Sequence, residues 1–199
     1  MRRVVLIRHG QSTWNAEQRW QGQADPLLSD LGERQARAAA GAVAGLQPRA
    51  VIASDLARAR RTAALLAPAG LEVTIEPALR ERNAGEWTGL TRAEIEVRYP
   101  GYLDARRRPP GFEADLPLLD RVLPALESTL WGLPAGGAAV VVTHGGVIHA
   151  VERHLGAPSG PVPNLGGRWI HAIGDGLQLG ERDLLIDPDD VALTIPRQL

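Results

Sequence analysis

The chain contains no cysteine, which excludes disulfides and thiol chemistry. It contains no lysine either, and all 22 basic residues are arginine. Coding bias towards Ala, Arg, Gly and Pro accounts for that. It also means that every phosphate contact from a basic side chain must come from a planar guanidinium fork, which can grip an oxyanion at two points. No apolar run approaches the length of a membrane-crossing helix. Arg2 and Arg3 precede only four apolar residues before Arg8, too few for the apolar region of a signal peptide. The net charge is −1 with 23% charged residues, so nothing favours wholesale binding to nucleic acid or to a membrane. These absences leave an ordinary cytoplasmic globular protein of 199 residues, near the size of one domain.

What is present is an alternation of apolar runs and helical patterns. Val4–Ile7, 50–53, 72–75 and 138–142 read as strands. Residues 28–46, 55–67, 91–99, about 119–130 and about 147–155 read as helices, with Asp30 and Glu33, then Thr91 and Glu94, spaced as N-terminal capping boxes. Pro124 is an awkward interior residue of its helix. Residues 100–115 read as loop, and Gly174-Asp175-Gly176 separates two C-terminal runs as in a hairpin. The pattern predicts a three-layer α/β/α fold with a mostly parallel central sheet, whose ligand site lies beyond the carboxyl ends of the strands.

Two of those runs end alike. "VVLIRHG" ends in Arg8-His9-Gly10, and "AAVVVTHGG" ends in Thr143-His144-Gly145-Gly146. A third run leads into "SDLARAR", which places Arg58 in the first turn of a helix. Singly, each is an ordinary strand end, glycine turn or charged helix face. If the strands are parallel neighbours, two imidazoles and two arginines meet at one edge, where helix N-termini also favour an anion. His144, His149 and His154 are five residues apart, which does not align them on one helix face. "DPDD" at 187–190 lacks a calcium-loop pattern, so no metal site is expected.

"LIRHGQSTWN", "SDLARARRTA", "LRERNAGEWTG" and "VVTHGGVIHA" together resemble the histidine phosphatase superfamily, the fold of cofactor-dependent phosphoglycerate mutases, α-ribazole phosphatase and broad-specificity phosphatases. The resemblance implies that His9 is a nucleophile forming a phosphohistidine. Arg8, Arg58 and His144 then hold the phosphoryl oxygens, and Glu81 supplies the leaving group's proton. Glu86 and Asp55 are rivals for that last role. Asn15, Gln21 and Gly145 match substrate-binding positions, and residues of about 90–130 form a lid on which Arg106, Arg107 and Arg108 receive a second anion or are simply solvated.

Three functions follow: a phosphomonoester hydrolase without cofactor acting on a small phosphorylated metabolite, a mutase dependent on 2,3-bisphosphoglycerate, or a non-catalytic phospholigand binder. The moderate stretch after "GEWTG", the short tail, and "GEWTG" itself where mutases carry an "ERHYG"-like block favour the hydrolase. A monomer and a homodimer both suit the sequence, with Trp169 and Ile170 as core or as dimer contact.

Overall fold

A computed structural model describes residues 1–158 and 160–196. Six strands form one sheet: β1 (Arg3–Arg8), β2 (Ala50–Ala53), β3 (Val73–Ile75), β4 (Ala138–Thr143), β5 (Gly166–Ile173) and β6 (Gly176–Leu184). Their order is β3-β2-β4-β1-β5-β6. The first four run parallel, and β5 and β6 are antiparallel additions.

The continuous apolar runs have a simple cause. Alternate side chains of a strand face opposite sides, and here both sides are covered. Val4, Leu6, Val141 and Ile52 pack under α5 (Asp115–Gly132) and α6 (Gly145–His154). Val5, Ile7, Val140 and Val51 pack under α2 (Asp30–Gly45) and α3 (Ala57–Leu66), beyond the short α1 (Thr13–Ala16). Trp169 and Ile170 are buried in these two clusters, so they are core of the chain itself. A third cluster, Trp20, Ala84, Trp87, Leu90 and Ile95 with Tyr99, Tyr102 and Phe112, lies around α4 (Arg92–Arg98), outside the main layers.

The Thr91–Glu94 capping box is formed. The Asp30–Glu33 box is not: Ser29 is the N-cap, its hydroxyl accepting from Gly32 N at 3.1 Å. Asp30 is therefore already helical, and Glu33 pairs with Arg37 and Arg61 instead. Helix α6 starts two residues earlier than expected, at Gly145, and α5 starts at Asp115 and runs through Pro124. The DPDD stretch is exposed, whereas Val191 and Leu193 beyond it pack on the core. Gln35 Nε2 also donates to Ala192 O at 2.8 Å.

Gly32 shows where packing overrides helix propensity. A Cβ there meets Gln11 O at 2.0 Å, a backbone overlap, whereas a Cβ at Gly41 in the same helix meets nothing within 4 Å. Ala is favoured over Gly inside a helix by about 1 kcal/mol. Gly41→Ala is expected to raise the urea midpoint by a shift of that size, and Gly32→Ala to lower it. Equal shifts in the two variants would show that the contact between α2 and the loop after β1 carries no strain.

Candidate active site

Strands β1 and β4 are adjacent and parallel, with Arg8 opposite Thr143. His9 N donates to Thr143 O at 3.0 Å, so the two His-Gly ends lie side by side. The His9 and His144 rings stand edge to face with centroids 5.1 Å apart. Arg58, on the first turn of α3, donates from Nε to His9 Nε2 at 3.2 Å, and its other nitrogens hold the carbonyls of Gly22 and Ala24. Arg8 donates from Nη1 to Val162 O at 2.9 Å. Arg8, His9, Arg58 and His144 are all buried.

The protonation of His9 can be read from its partners. Nε2 accepts from Arg58, so the ring proton sits on Nδ1, which donates to Gly10 O at 2.7 Å. Burial first, then the charges of Arg58 and Arg8, push the His9 imidazole well below the ordinary histidine range. The same causes, burial foremost, lower His144. Burial brings Arg8 and Arg58 down to about 10, which leaves both charged at neutral pH. The result is a neutral imidazole with a fixed lone pair beside two cations. Arg8 Nε and both ring nitrogens of His144 are buried without a protein partner. A cluster of unpartnered polar nitrogens beside guanidinium charge suits a tetrahedral oxyanion.

Glu81 lines the same pocket, together with Gln21, Gly22, Trp20, Arg82 and Ala84. Its carboxylate accepts from Arg82 N at 2.7 Å and from Gly146 N, in the first turn of α6, at 2.9 Å. The two rival carboxylates lie elsewhere. Glu86 is exposed and bonded to the Tyr99 hydroxyl, and Asp55 is engaged by Arg80, with Nε at 2.7 Å. Gln21 is held by Ser12 Oγ at 2.9 Å. Asn15 stands one step back from the pocket, its Oδ1 capping α1 through Ser12 N and its Nδ2 buried without a partner. Gly145 is the first residue of α6.

The pocket opens past Trp20 and Arg82 into an outer cavity of about 380 Å³, lined also by Arg108, Phe112, Asp115, His149 and Arg153. Of the three consecutive arginines only Arg108 reaches it, lying over the rings of Phe112 and Trp87. Sequence reasoning missed Arg82, whose importance depends on its pairing with the distant Asp115 at 2.8 Å. It also missed Asn164, which donates to His9 O at 2.6 Å from a loop with no motif of its own. Among the described residues, no three His, Cys, Asp or Glu side chains are grouped to hold a metal ion, and no helix is long and apolar enough to cross a membrane.

Comparison with known proteins agrees with this geometry. The histidine phosphatase superfamily (branch 1) matches residues 4–165, and the chain belongs to that family. It is a phosphatase, an enzyme that hydrolyses phosphoric monoesters. The chain is 41% identical to the glucosyl-3-phosphoglycerate phosphatase of Mycolicibacterium vanbaalenii, over 87% of this chain and 85% of that protein. It is 42% identical to a probable phosphoglycerate mutase, GpmB, of Serratia proteamaculans, over 80% and 77% of the two chains. A solved mycobacterial glucosyl-3-phosphoglycerate phosphatase, in complex with VO3, superimposes with a TM-score of 0.83 at 33% identity, covering 92% of this chain and 98% of that one.

The buried histidines make stability depend on pH. An unfolded histidine takes up a proton near pH 6.5, whereas His9, His144 and the partly buried His149 resist it. Below that pH the unfolded chain binds more protons than the folded one, so stability falls as the pH drops. The slope is at most about 1.4 kcal/mol per pH unit for each histidine. Urea midpoints are expected to fall from pH 7.5 to 5.0, and less steeply in His144→Gln. A midpoint that is flat over this range would contradict the neutral, buried imidazoles.

Proposed function

We propose that the chain hydrolyses a phosphomonoester through a phosphohistidine on His9, and that its substrate is a phosphoglycerate carrying a sugar. The observation that carries the first half is the fixed tautomer of His9, with its Nε2 lone pair directed at a pocket of guanidinium donors. Nε2 attacks phosphorus in line, and the N–P bond forms as the ester P–O bond breaks. Arg58 shifts its Nε donation from His9 to a phosphoryl oxygen, and Arg8 and His144 bind the others. The incoming phosphate favours a protonated His144, reversing the lowering it shows without an anion. Glu81 gives a proton to the leaving oxygen and takes one back from the water that then cleaves the N–P bond. Gln21, Asn15 and the start of α6 at Gly145 complete the cradle. The arginines supply the positive charge in this scheme, so it needs neither metal nor cofactor.

The outer cavity supports the second half. Arg82, Arg108 and Arg153 line that cavity beside the carboxylate of Asp115, which Arg153 and Arg82 hold down at about 2. The guanidinium of Arg108 suits a carboxylate on the leaving group, and the Trp20 and Phe112 faces suit a sugar ring. Residues 90–114, seated on the third hydrophobic cluster, form the lid, with α5 as its anchor in the main core. The relatives that carry the name glucosyl-3-phosphoglycerate phosphatase favour the same substrate, and such a metabolic role fits the cytoplasm.

The test is a panel of glucosyl-3-phosphoglycerate, 3-phosphoglycerate and glycerol 3-phosphate, with and without 2,3-bisphosphoglycerate. Inorganic phosphate is expected from the glycerates, with kcat/KM about 10- to 100-fold above glycerol 3-phosphate, as a charge-assisted contact provides. Arg108→Ala is expected to erase most of that preference. Conversion of 3-phosphoglycerate to its 2-isomer without phosphate release would establish a mutase instead.

A further inference from the structure

The segment that carries Glu81 has neither helix nor strand to hold it: residues 80–83 lie between two short 3-10 turns, Pro77–Leu79 and Gly85–Trp87. Buried or partly buried carbonyls still need donors. Here three of them find one side chain, and Glu81 O also accepts from Gln23 Nε2 at 3.2 Å. Arg121, from α5, donates from Nη1 to Ala78 O at 2.6 Å and to Arg80 O at 2.8 Å, and from Nη2 to Glu81 O at 3.1 Å. Its remaining edge is gripped by Glu113, with Nε to Oε1 at 3.0 Å and Nη2 to Oε2 at 2.8 Å. Glu113 is stitched to the same segment. Its N donates to Asn83 O at 2.9 Å, and its Oε2 accepts from Asn83 N at 3.0 Å.

We infer that Arg121, held by Glu113, is the positioning residue for the proton donor: it fixes the main chain of Glu81 so that the carboxyl group stands at the leaving oxygen. The inference rests on the reading of Glu81 as that donor. Arg121 is not among the residues lining either pocket, so it touches no reacting atom. Its planar fork reaches three carbonyls and a carboxylate at once, which a lysine ammonium on a flexible stem cannot reproduce. A small misplacement of a reacting group costs up to about 100-fold in rate, so loosening this fork has a kinetic signature. The cost falls on substrates whose leaving group needs the proton.

A residue that merely braced the fold would slow all substrates alike. The measurement is therefore kcat on 3-phosphoglycerate, whose alkoxide must be protonated, and on p-nitrophenyl phosphate, whose leaving group departs as the anion. Wild type, Glu81→Gln, Arg121→Ala, Arg121→Lys and Glu113→Gln are compared. Glu81→Gln calibrates the pattern. Arg121→Ala is expected to lose about 10- to 100-fold on 3-phosphoglycerate and several-fold less on p-nitrophenyl phosphate, with Arg121→Lys in between. Should Arg121→Ala fail to fold, Glu113→Gln is expected to give the same leaving-group dependence in weaker form. Equal losses on both substrates in the Arg121 and Glu113 variants, with Glu81→Gln showing the dependence, would overturn the inference alone. Absence of the dependence in Glu81→Gln itself would overturn the proton-donor reading, and this inference with it.

Discussion

The His9 imidazole is kept neutral by burial and by the guanidiniums of Arg58 and Arg8, and the architecture around it fixes that neutral ring in one tautomer. The hydrogen bond from Nδ1 to Gly10 O leaves Nε2 as the lone-pair nitrogen. It works only while the Gly10 backbone stays in place. Gly10 N is held by Thr62 Oγ1 at 3.0 Å, and a Cβ at this position would meet Gly32 O at 2.6 Å. Helix α2 therefore approaches the strand end as closely as two glycines, Gly10 and Gly32, permit. Asn164 secures the His9 carbonyl from the other side, and its own N donates to Thr194 O at 2.9 Å. The segment after DPDD is thus tied, through one asparagine, to the His9 backbone.

Burying so much charge without full pairing is costly. The sheet is covered on both faces, and the buried groups of the site gather at the carboxyl ends of β1 and β4. Division of labour follows. The inner pocket holds two buried guanidiniums with the Glu81 carboxylate, and the outer cavity combines guanidiniums with aromatic faces. Arg82 and Trp20 line both. The outer cavity is therefore mechanically close to the segment that bears Glu81, because Arg82 is the next residue along the chain.

Much of this was legible in the sequence for identifiable reasons. Strands buried on both faces write themselves as unbroken apolar runs, so the pairing of the two His-Gly ends followed from Val4–Ile7 and Ala138–Val142. The short elements at 13–16, 77–79 and 85–87 left no signal, being shorter than the period that would reveal them. Ser29 and Asp30 are both good caps, and Glu33 stood at the right distance from the wrong one. Spacing alone could not choose between Glu81 and Glu86, since both follow β3 within one loop. The structure separates them by exposure. Arg121 and Asn164 were illegible because their contacts join a loop to residues far along the chain, and no local pattern encodes such a meeting.

The covalent role of His9 is the claim on which the account turns, and trapping the intermediate tests it most directly. Rapid quench of the enzyme with substrate, without acid, followed by peptide mapping, should reveal one phosphoryl group on the peptide containing His9. The adduct should be stable in base and labile in acid, as a phosphoramidate is, and should accumulate in Glu81→Gln. A phosphoryl group on the peptide containing His144, or none on either peptide even in Glu81→Gln, would contradict the account.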